Sequence, residues 1–574
     1  MHIPLKSLKI LALDCQTTGN SLKYNDLLEI GWLEFSAIDP LTPQGPLPVT
    51  FVVRQPRQPP LSKRIQKLTG IGDNNLKSAT DAKAVLDHLL LKASEVARAN
   101  RAALCPVAIH YANFEMGFLN KLNRQSHHGH SLPFNVICTH QIACKLMPQL
   151  PRKGIRAVAG YLGHSIPTAK RCAHHLVATA HIWRHLVELL ADRHSVHTMD
   201  QLQRWLKYAP LPAKTRAYPM PRDRRLGLPD SPGIYRMLRS NGDVLYIGKA
   251  TSLRKRINSY FHKRRHPEAI LEMLTQAVEL EIAQTGSALE AALRESDAIK
   301  RRNPPYNTAL VSRHRKVSFI SRDFASHSPI MNQTHPLGPV PSVEPFSAAN
   351  ALGKFMGQNG NTSYDISRIM AISDDAGPDA STFQSGVALF QEKYCLVLGR
   401  MAIGPALLHI GRLSWKEKLT RQEIEASIDS ESETIEGATV WEWNPQAVVG
   451  RLESICRRCA FMLRRARWFA VLSESTVAWQ AGGNERKDLN IVVMHKGNIL
   501  RNDTSRGSTI PIPPGSATGH AKRRARIDLA RYDRLRVLTT EIRRLITEDR
   551  LICLRLSERV YLRSPQFRLL FNWI

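Results

Sequence analysis

The sequence lacks the features that place a protein in or across a membrane. No stretch approaches the roughly 20 consecutive apolar residues that a membrane-spanning helix needs. The apolar run at residues 10–13 is far shorter than the apolar core of a secretion signal, and it ends at Asp14. Nine cysteines dispersed over 574 residues do not form a disulfide framework and are typical of a reducing compartment. These absences predict a cytoplasmic protein with no membrane partner.

Acidic residues are scarce relative to basic ones. The chain has 49 Asp and Glu against 80 Lys and Arg, which gives a formal net charge of +31. A surplus of this size favours a polyanionic partner, because each phosphate contact releases condensed counterions. The alternative is a basic surface that only confers solubility, but we expect nucleic acid, and DNA in particular, to be the partner.

The length and the distribution of proline divide the chain into several domains. A single hydrophobic core does not serve 574 residues, and a hydrophobic content of 43% is that of an ordinary globular protein. Repeated prolines between residues 206 and 232 predict a linker, and a second polar stretch rich in Pro and Gly runs from about residue 328 to 361. We predict a first domain at 1–205, a linker at 206–229, a second domain at 230–320 and a third region at 321–574.

A hairpin is predicted in the segment SPGIYRMLRSNGDVLYIGKATSLRKRINSYF, residues 231–261. Asn241-Gly242 between two apolar-rich runs is a strong signal for a two-residue turn. Counting outward from that turn gives three pairs: Ser240 with Asp243, Met237 with Tyr246, and Tyr235 with Gly248. The tyrosines at 235 and 246 then share one face of the sheet, beside a glycine that leaves room for a ligand.

Two helices are predicted after the hairpin. Leu253, Ile257, Tyr260 and Phe261 form an apolar stripe, and Arg256 lies at its edge with its cation directed toward the sheet. Further on, Ser287 and Glu290 have the spacing of a capping box and start a second helix, whose inner face is Leu289, Ala292, Ser296 and Ile299. Glu295 lies at the margin of that inner face, where a carboxylate is costly without a cation to bind, so we expect a metal there.

These residues resemble the GIY-YIG nuclease domain, most closely that of the nuclease component of excinuclease ABC and its short relative, the Cho excinuclease. Both motif words are literal, Gly233-Ile234-Tyr235 and Tyr246-Ile247-Gly248, and they are followed by Lys249, Arg256, Glu295 and Asn307. The resemblance implies a small α+β domain that hydrolyses DNA phosphodiesters. The named Tyr, Lys, Arg, Glu and Asn residues are therefore its predicted catalytic set.

The resemblance also implies a role for each side chain. Glu295 would hold Mg²⁺ or Mn²⁺, and Arg256 would neutralise charge that develops on the phosphate. A tyrosine would take the proton from the attacking water, and Lys249 is placed to help by favouring the ionised phenol. Both Tyr235 and Tyr246 remain candidates for this base.

The first domain resembles the DEDDh exonucleases, the type represented by the epsilon subunit of DNA polymerase III. The matching segments are ALDCQTTG at residues 12–19, IHYANFEMGFL at 109–119 and RCAHHLVATAHIW at 171–183. The resemblance implies an RNase H-like fold, a mixed sheet with helices. The whole chain would then be an α/β and α+β multidomain protein with an unassigned C-terminal region.

The metal-binding residues of that exonuclease type are mostly replaced. Asp14 is present, but Gln16 stands where the family has Glu, Glu115 where it has Asp, His175 at another acid, and Lys170 at the general-base histidine. A neutral amide and a histidine cannot supply the missing charge, so we predict a degenerate site. The alternative is a remodelled single-metal site made by Asp14, Glu115 and either His174 or His175. Otherwise we expect the two histidines to be a pair on the helix surface.

The favoured function is a repair endonuclease that nicks damaged duplex DNA beside a lesion in nucleotide excision repair. No second nuclease domain is recognisable beyond residue 360, which favours a Cho-like enzyme that makes one incision. The degenerate first domain would act as a targeting module, and damage-recognition subunits of the repair complex are the implied partners. Three alternatives stand beside it: a stand-alone nuclease of restriction or mobile-element type, a bifunctional protein with an active 3′–5′ exonuclease, and a noncatalytic DNA-binding scaffold.

Overall fold

The computed structural model gives most of the chain in atomic detail. The described residues are 3–39, 46–54, 61–126, 131–167, 171–210, 217–262, 266–308, 310, 316–357, 365–372, 377–418, 443–480, 488–506, 527–548, 550–556 and 559–562. Within these ranges, no helix has the length and apolar character needed to cross a bilayer.

The first region is a mixed sheet with helices on both faces. Its elements are β1 (Ile10–Thr17), β2 (Leu27–Phe35), β3 (Val49–Val52), α1 (Lys63–Thr69), α2 (Asp73–Lys77), α3 (Ala82–Ala99), β4 (Cys105–Ile109), α4 (Ala112–Gln125), β5 (Phe134–Cys138), α5 (Thr139–Leu146), α6 (Ile155–Tyr161), α7 (Cys172–His194) and α8 (Met199–Tyr208). The strand order is β3-β2-β1-β4-β5, with β1 antiparallel to β2 and parallel to β4. The predicted mixed sheet with helices is confirmed.

Strand β1 is central to this sheet and is buried on both faces. Ile10 and Ala12 pack into the core that contains α7, whereas Leu11 and Leu13 pack into the core that contains α3. A strand covered on both sides has a continuous apolar sequence rather than an alternating one. Asp14 therefore enters the interior as the first charged residue of the strand and is only 4% exposed.

The second region is a three-stranded sheet with short helices. Its elements are α9 (Asp223–Leu226), β6 (Gly233–Leu238), β7 (Val244–Ala250), α10 (Leu253–His262), α11 (Glu268–Gln276), β8 (Glu279–Gln284) and α12 (Ala288–Arg302). The strand order is β7-β6-β8, and both pairs of strands are antiparallel. The predicted stripe on α10 is confirmed, because Leu253, Ile257 and Tyr260 are buried. The predicted start of α12 is also confirmed, since the Ser287 side chain accepts a hydrogen bond from the Glu290 backbone N–H.

The hairpin between β6 and β7 has the predicted register along most of its length but a different turn. Tyr235 pairs with Gly248 and Met237 pairs with Tyr246, as predicted. The predicted pair of Ser240 with Asp243 is wrong, because the N–H of Arg239 donates to the carbonyl of Asp243 across a longer loop. Gly242 has a φ of 83°, the left-handed conformation that suits such a loop. A bulge beyond Met237 restores the register, so the tyrosines keep their predicted partners.

The third region contains a small sheet and a cluster of helices. Its elements are β9 (Ser318–Ile320), β10 (His327–Ser328), β11 (Leu337–Val340), α13 (Glu344–Gly357), α14 (Ile366–Met370), α15 (Ala380–Lys393), α16 (Cys395–Leu398), α17 (Ile403–Lys418) and α18 (Pro445–Leu472). The stretch 328–361, predicted to be a break, includes β11 and α13. It is not simply a linker, because Phe346, Leu352 and Phe355 of α13 are buried in the core of this helical cluster.

The last part of the chain is a five-stranded sheet. Its elements are β12 (Ser475–Gln480), β13 (Asp488–His495), β14 (Asn498–Arg506), α19 (Leu529–Thr547), β15 (Leu551–Leu556) and β16 (Arg559–Leu562), in the order β14-β13-β12-β15-β16. Leu289 and Leu293 of α12 belong to the same hydrophobic core as Leu535 and Leu538 of α19. The helix that carries Glu295 is therefore packed between its own sheet and the C-terminal part of the chain.

Candidate active site

Three tyrosines meet on one face of the β6–β7 hairpin. The ring centroids of Tyr235 and Tyr246 are 6.1 Å apart, which agrees with the predicted shared face. Tyr260 of α10 completes the cluster, with its centroid 6.3 Å from that of Tyr235 and 6.4 Å from that of Tyr246. The hydroxyls of Tyr235 and Tyr260 share a hydrogen bond of 2.9 Å. Two strands and a helix thus place three phenols at one point.

Arg256 adds a positive charge to the tyrosine cluster. Its Nη2 donates to the hydroxyl of Tyr260 at 3.2 Å, and its guanidinium carbon lies 5.1 Å from the centroid of that ring. Arg256 and Tyr260 are four residues apart on α10, so they lie on the same side of the helix. The cation is directed toward the sheet, as the sequence predicts.

Gly248 allows this close packing of rings. A Cβ added at this position would collide with the hydroxyl end of Tyr235 and with the ring of Tyr246. The sequence predicts that the glycine leaves room for a ligand. In the structure that room is filled by the Tyr235 side chain, because its ring lies directly over the strand.

Glu295 lies at the edge of this cluster and is nearly buried. It is 9% exposed, and its Oε1 accepts a hydrogen bond of 2.9 Å from the backbone N–H of Lys249. Burial raises the pKa of Glu295, while the cations of Lys249 and Arg256 act in the opposite direction. The carboxylate thus stands where a cation would relieve its desolvation, as the sequence predicts.

Lys249 acts on the carboxylate, because its backbone N–H donates to Glu295 and its cation lowers the pKa of that group. The sequence predicts that its cation favours ionisation of a tyrosine. In the structure, burial and the neighbouring phenols raise the pKa of Tyr235. Burial, Tyr260 and the Glu295 carboxylate raise the pKa of Tyr246. Both phenols therefore hold their protons at neutral pH unless a further cation is bound.

Asn307 positions the strand that carries Tyr246. Its Oδ1 accepts from the N–H of Ile247 at 2.9 Å, and its Nδ2 donates to the carbonyl of Ile247 at 2.8 Å. This pair of hydrogen bonds fixes the backbone between Tyr246 and Gly248. The geometry makes Asn307 a positioning residue, because its amide is committed to the backbone.

The sequence pattern assigns Tyr260 only to the apolar stripe of α10 and not to the site. A signal was available, because Tyr260 follows Arg256 by four residues and its phenol has a polar group that needs a partner when buried. The stripe explains the burial of the ring but not the hydrogen bonds at its hydroxyl.

The donor set of this cluster fits a single Mg²⁺ ion. Mg²⁺ is commonly bound through one or two carboxylates, with water and substrate phosphate as the other ligands. Glu295 supplies one carboxylate, whose Oε1 accepts from the Lys249 N–H and which forms no salt bridge among the described residues. Glu295 is the residue that would hold the ion.

The predicted exonuclease residues also converge, but around a hydrogen-bonded amide. Nε2 of Gln16 donates to Oδ2 of Asp14 at 2.7 Å and lies 3.3 Å from Nδ1 of His175. Nδ1 of His175 in turn lies 3.0 Å from Oδ1 of Asp14. The amide and the imidazole thus engage both oxygens of the one aspartate that the exonuclease motif retains.

Glu115 lies close to Asp14 but takes no part in that network. Its Oε2 is buried without a hydrogen-bond partner, and burial together with the Asp14 carboxylate raises the pKa of Glu115 well above its ordinary value. Among the described residues, no group of three or more His, Cys, Asp or Glu side chains is arranged to hold a metal. These residues do not fit the two-metal site of the exonucleases.

The sequence makes two predictions in the third exonuclease motif: a pair of histidines on the helix surface, and a lysine at the position of the general base. The helix-surface pair is wrong for His175, because that residue is only 9% exposed and contacts Asp14. His174 is half-buried, and its Nδ1 has no hydrogen-bond partner. Lys170, predicted at the position of the general base, lies outside the described residues.

The hairpin, the tyrosine cluster and the buried glutamate define a nuclease domain of the GIY-YIG class. Residues 231–308 match the family model of the UvrC-like GIY-YIG domain. This stretch is a UvrC-like GIY-YIG domain, as the sequence predicts. UvrABC system protein C of Sphingopyxis alaskensis is 49% identical over 83 residues, which are 14% of this chain and 13% of that protein.

A second relative is similar over a much longer stretch. A Mycobacterium tuberculosis protein, named as a candidate bifunctional exonuclease/endonuclease, is 26% identical over 316 residues, which are 53% of this chain and 45% of that protein. The predicted combination of an exonuclease-like region with a GIY-YIG domain is confirmed. The chain spans about an eighth of the length of the UvrC relative and under half of the bifunctional one.

Two solved structures are similar to parts of the chain. The GIY-YIG domain of UvrC from Thermotoga maritima, described as bound to its catalytic magnesium, is 33% identical and covers 15% of this chain and 94% of that one, with a TM-score of 0.14. The nuclease domain of 3′hExo, a DEDDh family member bound to rAMP, is 17% identical and covers 32% and 93%, with a TM-score of 0.26.

Proposed function

We propose that this protein is a divalent-metal-dependent DNA endonuclease that nicks duplex DNA beside a lesion. The observation that carries the proposal is the meeting of Tyr246, Tyr260 and Arg256 beside the buried carboxylate of Glu295. A structural cluster of aromatic rings does not require an arginine and a buried acid at its edge. The formal charge of +31 adds the attraction for a phosphate backbone that such a nuclease needs.

Each residue of the site has a separate role in the proposed hydrolysis. A divalent cation held by Glu295, Mg²⁺ or Mn²⁺, would polarise the phosphate and stabilise the leaving oxygen. Arg256 neutralises negative charge that develops on the nonbridging oxygens. Tyr246, once ionised beside that cation, would accept the proton of the attacking water, and Tyr260 holds Arg256 in place through the hydrogen bond between them.

Tyr246 is better placed for proton transfer than Tyr235. Tyr235 is fully buried at 0% exposure, and its hydroxyl is hydrogen-bonded to Tyr260. Tyr246 is half-buried, so it is the more accessible of the two to water and substrate. We therefore assign the base role to Tyr246 and a supporting role to Tyr235.

The first domain acts in this proposal as a module that targets the endonuclease to DNA. Its Asp14 is engaged by Gln16 and His175 rather than open to metal. Damage-recognition subunits of an excision-repair complex would deliver the substrate, and the protein would make one incision, as Cho excinuclease does. The domain limits 1–205, 206–229, 230–320 and 321–574, and a cytoplasmic location, belong to the same proposal.

A bifunctional protein with an active 3′–5′ exonuclease is the second candidate. The 316-residue similarity to the mycobacterial protein favours it, because that protein is named for both activities.

One incubation distinguishes these functions. Lesion-bearing and undamaged duplexes, and a supercoiled plasmid, are treated with the protein and Mg²⁺, with and without the damage-recognition complex. We expect one nick beside the lesion that depends on that complex. Defined cleavage of undamaged plasmid without helpers would support a restriction or mobile-element nuclease instead, and shortening of 3′ ends would support the bifunctional protein. If no strand is cut under any condition, the proposed function is wrong.

A further inference from the structure

A large cleft lies between the first domain and the GIY-YIG domain, away from the tyrosine cluster. Its volume is about 860 Å³, and it is lined on one side by Ser165, Ile166 and Pro167, which follow α6. The other side is formed by the β6–β7 loop and the end of α12. This interdomain cleft is separate from the site described above, because none of its lining residues belongs to the proposed catalytic set.

Direct contacts hold the two walls of the interdomain cleft together. Nδ2 of Asn241 donates to the carbonyl of Gly163 at 2.9 Å. Arg156 of α6 forms an ion pair of 3.3 Å with Glu272 of α11, and the N–H of Arg152 donates to Thr275 at 3.1 Å. The cleft is therefore a defined feature of how the domains pack rather than an open gap.

Arginine dominates the charge of the interdomain cleft. Four arginines line it, Arg236, Arg239, Arg301 and Arg302, against a single acid, Asp243. That acid already forms an ion pair of 3.1 Å with Arg239, and Arg239 also donates twice to Gln276 and is 4% exposed. Arg236 is paired with Glu281 at 2.9 Å. Arg301 and Arg302 are exposed, so they present the accessible positive charge.

The position of Arg236 separates the cleft from the nuclease face. Arg236 follows Tyr235 directly in β6, and successive side chains of a strand point to opposite faces of the sheet. Arg236 therefore lies on the opposite face of the hairpin from the phenols, and so does α12, because its Ala298 and Ile299 pack against Ile247. A strand bound there is held by contacts that take no part in hydrolysis.

A simpler explanation covers only part of this arrangement. Cations near the C-terminus of a helix interact favourably with its dipole, and Lys300, Arg301 and Arg302 occupy the last turn of α12. That effect explains basic residues at the helix end. It does not explain two further arginines that reach the same cleft from β6 and the loop after it.

We propose that the interdomain cleft binds the phosphodiester backbone of a nucleic-acid strand while the tyrosine cluster cuts. The inference rests on the proposed nucleic-acid substrate and adds a second binding surface to it. Arg301 and Arg302 contact phosphate oxygens, since arginine offers several fixed donors that match phosphate geometry. Arg236 and Arg239 are neutralised by Glu281 and Asp243, so they form a fixed wall of the cleft while Arg301 and Arg302 supply its net positive charge.

The test compares two double variants that remove the same charge. One is Arg301→Ala with Arg302→Ala; the matched control is Arg98→Ala with Arg124→Ala, two exposed arginines on α3 and α4. Binding of the full chain to labelled single-stranded and duplex oligonucleotides is measured without divalent metal, so that no strand is cut, over a series of salt concentrations. Arg301→Lys with Arg302→Lys tests whether charge alone is sufficient.

We expect the cleft variant to bind at least about ten-fold more weakly at low salt, with a salt slope smaller by about 1.4 for single strands or 1.8 for duplex. The control should stay within about two-fold of the wild type. The oligonucleotide that shows the larger loss identifies which form the cleft holds. The lysine variant should recover most of the affinity, because it restores both charges.

Two results would overturn the cleft assignment. One is equal weakening by both alanine double variants, which would show a general charge effect. The other is unchanged affinity of the cleft variant together with a lowered melting temperature, which would leave only the helix-dipole role. Either result stands apart from the proposed function, because nicking by the wild type is measured separately. Conversely, the wild type could fail to nick while the cleft variant still binds more weakly than the wild type. That result would support the cleft assignment and contradict the proposed endonuclease function.

Discussion

Lys300 and Asp533 form an ion pair of 2.7 Å between α12 and α19, and Asp533 is fully buried. Lys300 also donates to Ser296 on its own helix. The pair therefore joins the helix that carries Glu295 to the C-terminal part of the chain. A second pair across the same helices, Arg534 with Asp297, is longer at 3.2 Å and far more exposed.

The difference in burial between these two pairs predicts different costs of removal. Asp533→Ala leaves the Lys300 cation without its partner in the interior, which we expect to lower the free energy of unfolding by about 3–5 kcal/mol. Asp297→Ala breaks the exposed pair and should cost at most about 1 kcal/mol. Thermal and denaturant unfolding of both variants tests this. Equal costs would show that the buried pair does not hold the C-terminal part against α12.

Glu295→Gln should remove metal-dependent nicking with the fold intact. The glutamine keeps an oxygen that accepts from the Lys249 N–H, but it has no negative charge to hold a cation. We expect nicking to fall at least about 100-fold and DNA affinity to stay within about two-fold. Addition of EDTA to the wild type should have the same effect. Nicking by the variant at the wild-type rate would remove the metal assignment.

Two conservative tyrosine variants separate the proposed base from its neighbour. Tyr246→Phe should lower the nicking rate by about 100-fold or more, because general-base catalysis contributes that much. Tyr235→Phe removes the hydrogen bond to Tyr260 and should cost about 1 kcal/mol of stability, with a smaller loss of rate. Single-turnover nicking and unfolding are measured on each. A larger rate loss in Tyr235→Phe would reverse the assignment.

Because Asp14 is held in a hydrogen-bonded network, we expect the protein to leave the 3′ ends of DNA undigested. The wild type should show no metal-dependent digestion of single-stranded DNA, and Gln16→Glu should not create it. The Gln16 amide lies 2.7 Å from the Asp14 carboxylate, so Gln16→Glu places a second carboxylate against the first. Repulsion between the two charges should also make this variant less stable than the wild type. Digestion that survives Glu295→Gln but is lost in Asp14→Ala would establish a working exonuclease site and contradict our proposal.

Local sequence rules were sufficient to predict much of the structure of the nuclease domain. Asn241-Gly242 placed a hairpin, and the period of two along its strands placed Tyr235 and Tyr246 on one face. Ser287 and Glu290 marked the start of α12, since a cap is a contact between residues three apart. The predicted two-residue turn was wrong, because the loop contains an extra residue. A bulge further along the strand compensates for that residue, so the pairing of the tyrosines does not depend on the loop length.

The sequence by itself determined which residues could form the two sites, because residue type and short-range period fix the available chemistry and the face on which each side chain lies. Only the tertiary structure decided what those side chains bind. The contact of His175 with Asp14 joins residues 161 positions apart, and the burial of Tyr235 against Tyr260 depends on how α10 packs on the sheet. The Lys300–Asp533 pair and the arginine-lined cleft likewise depend on packing between elements distant in the chain, for which no local periodicity exists.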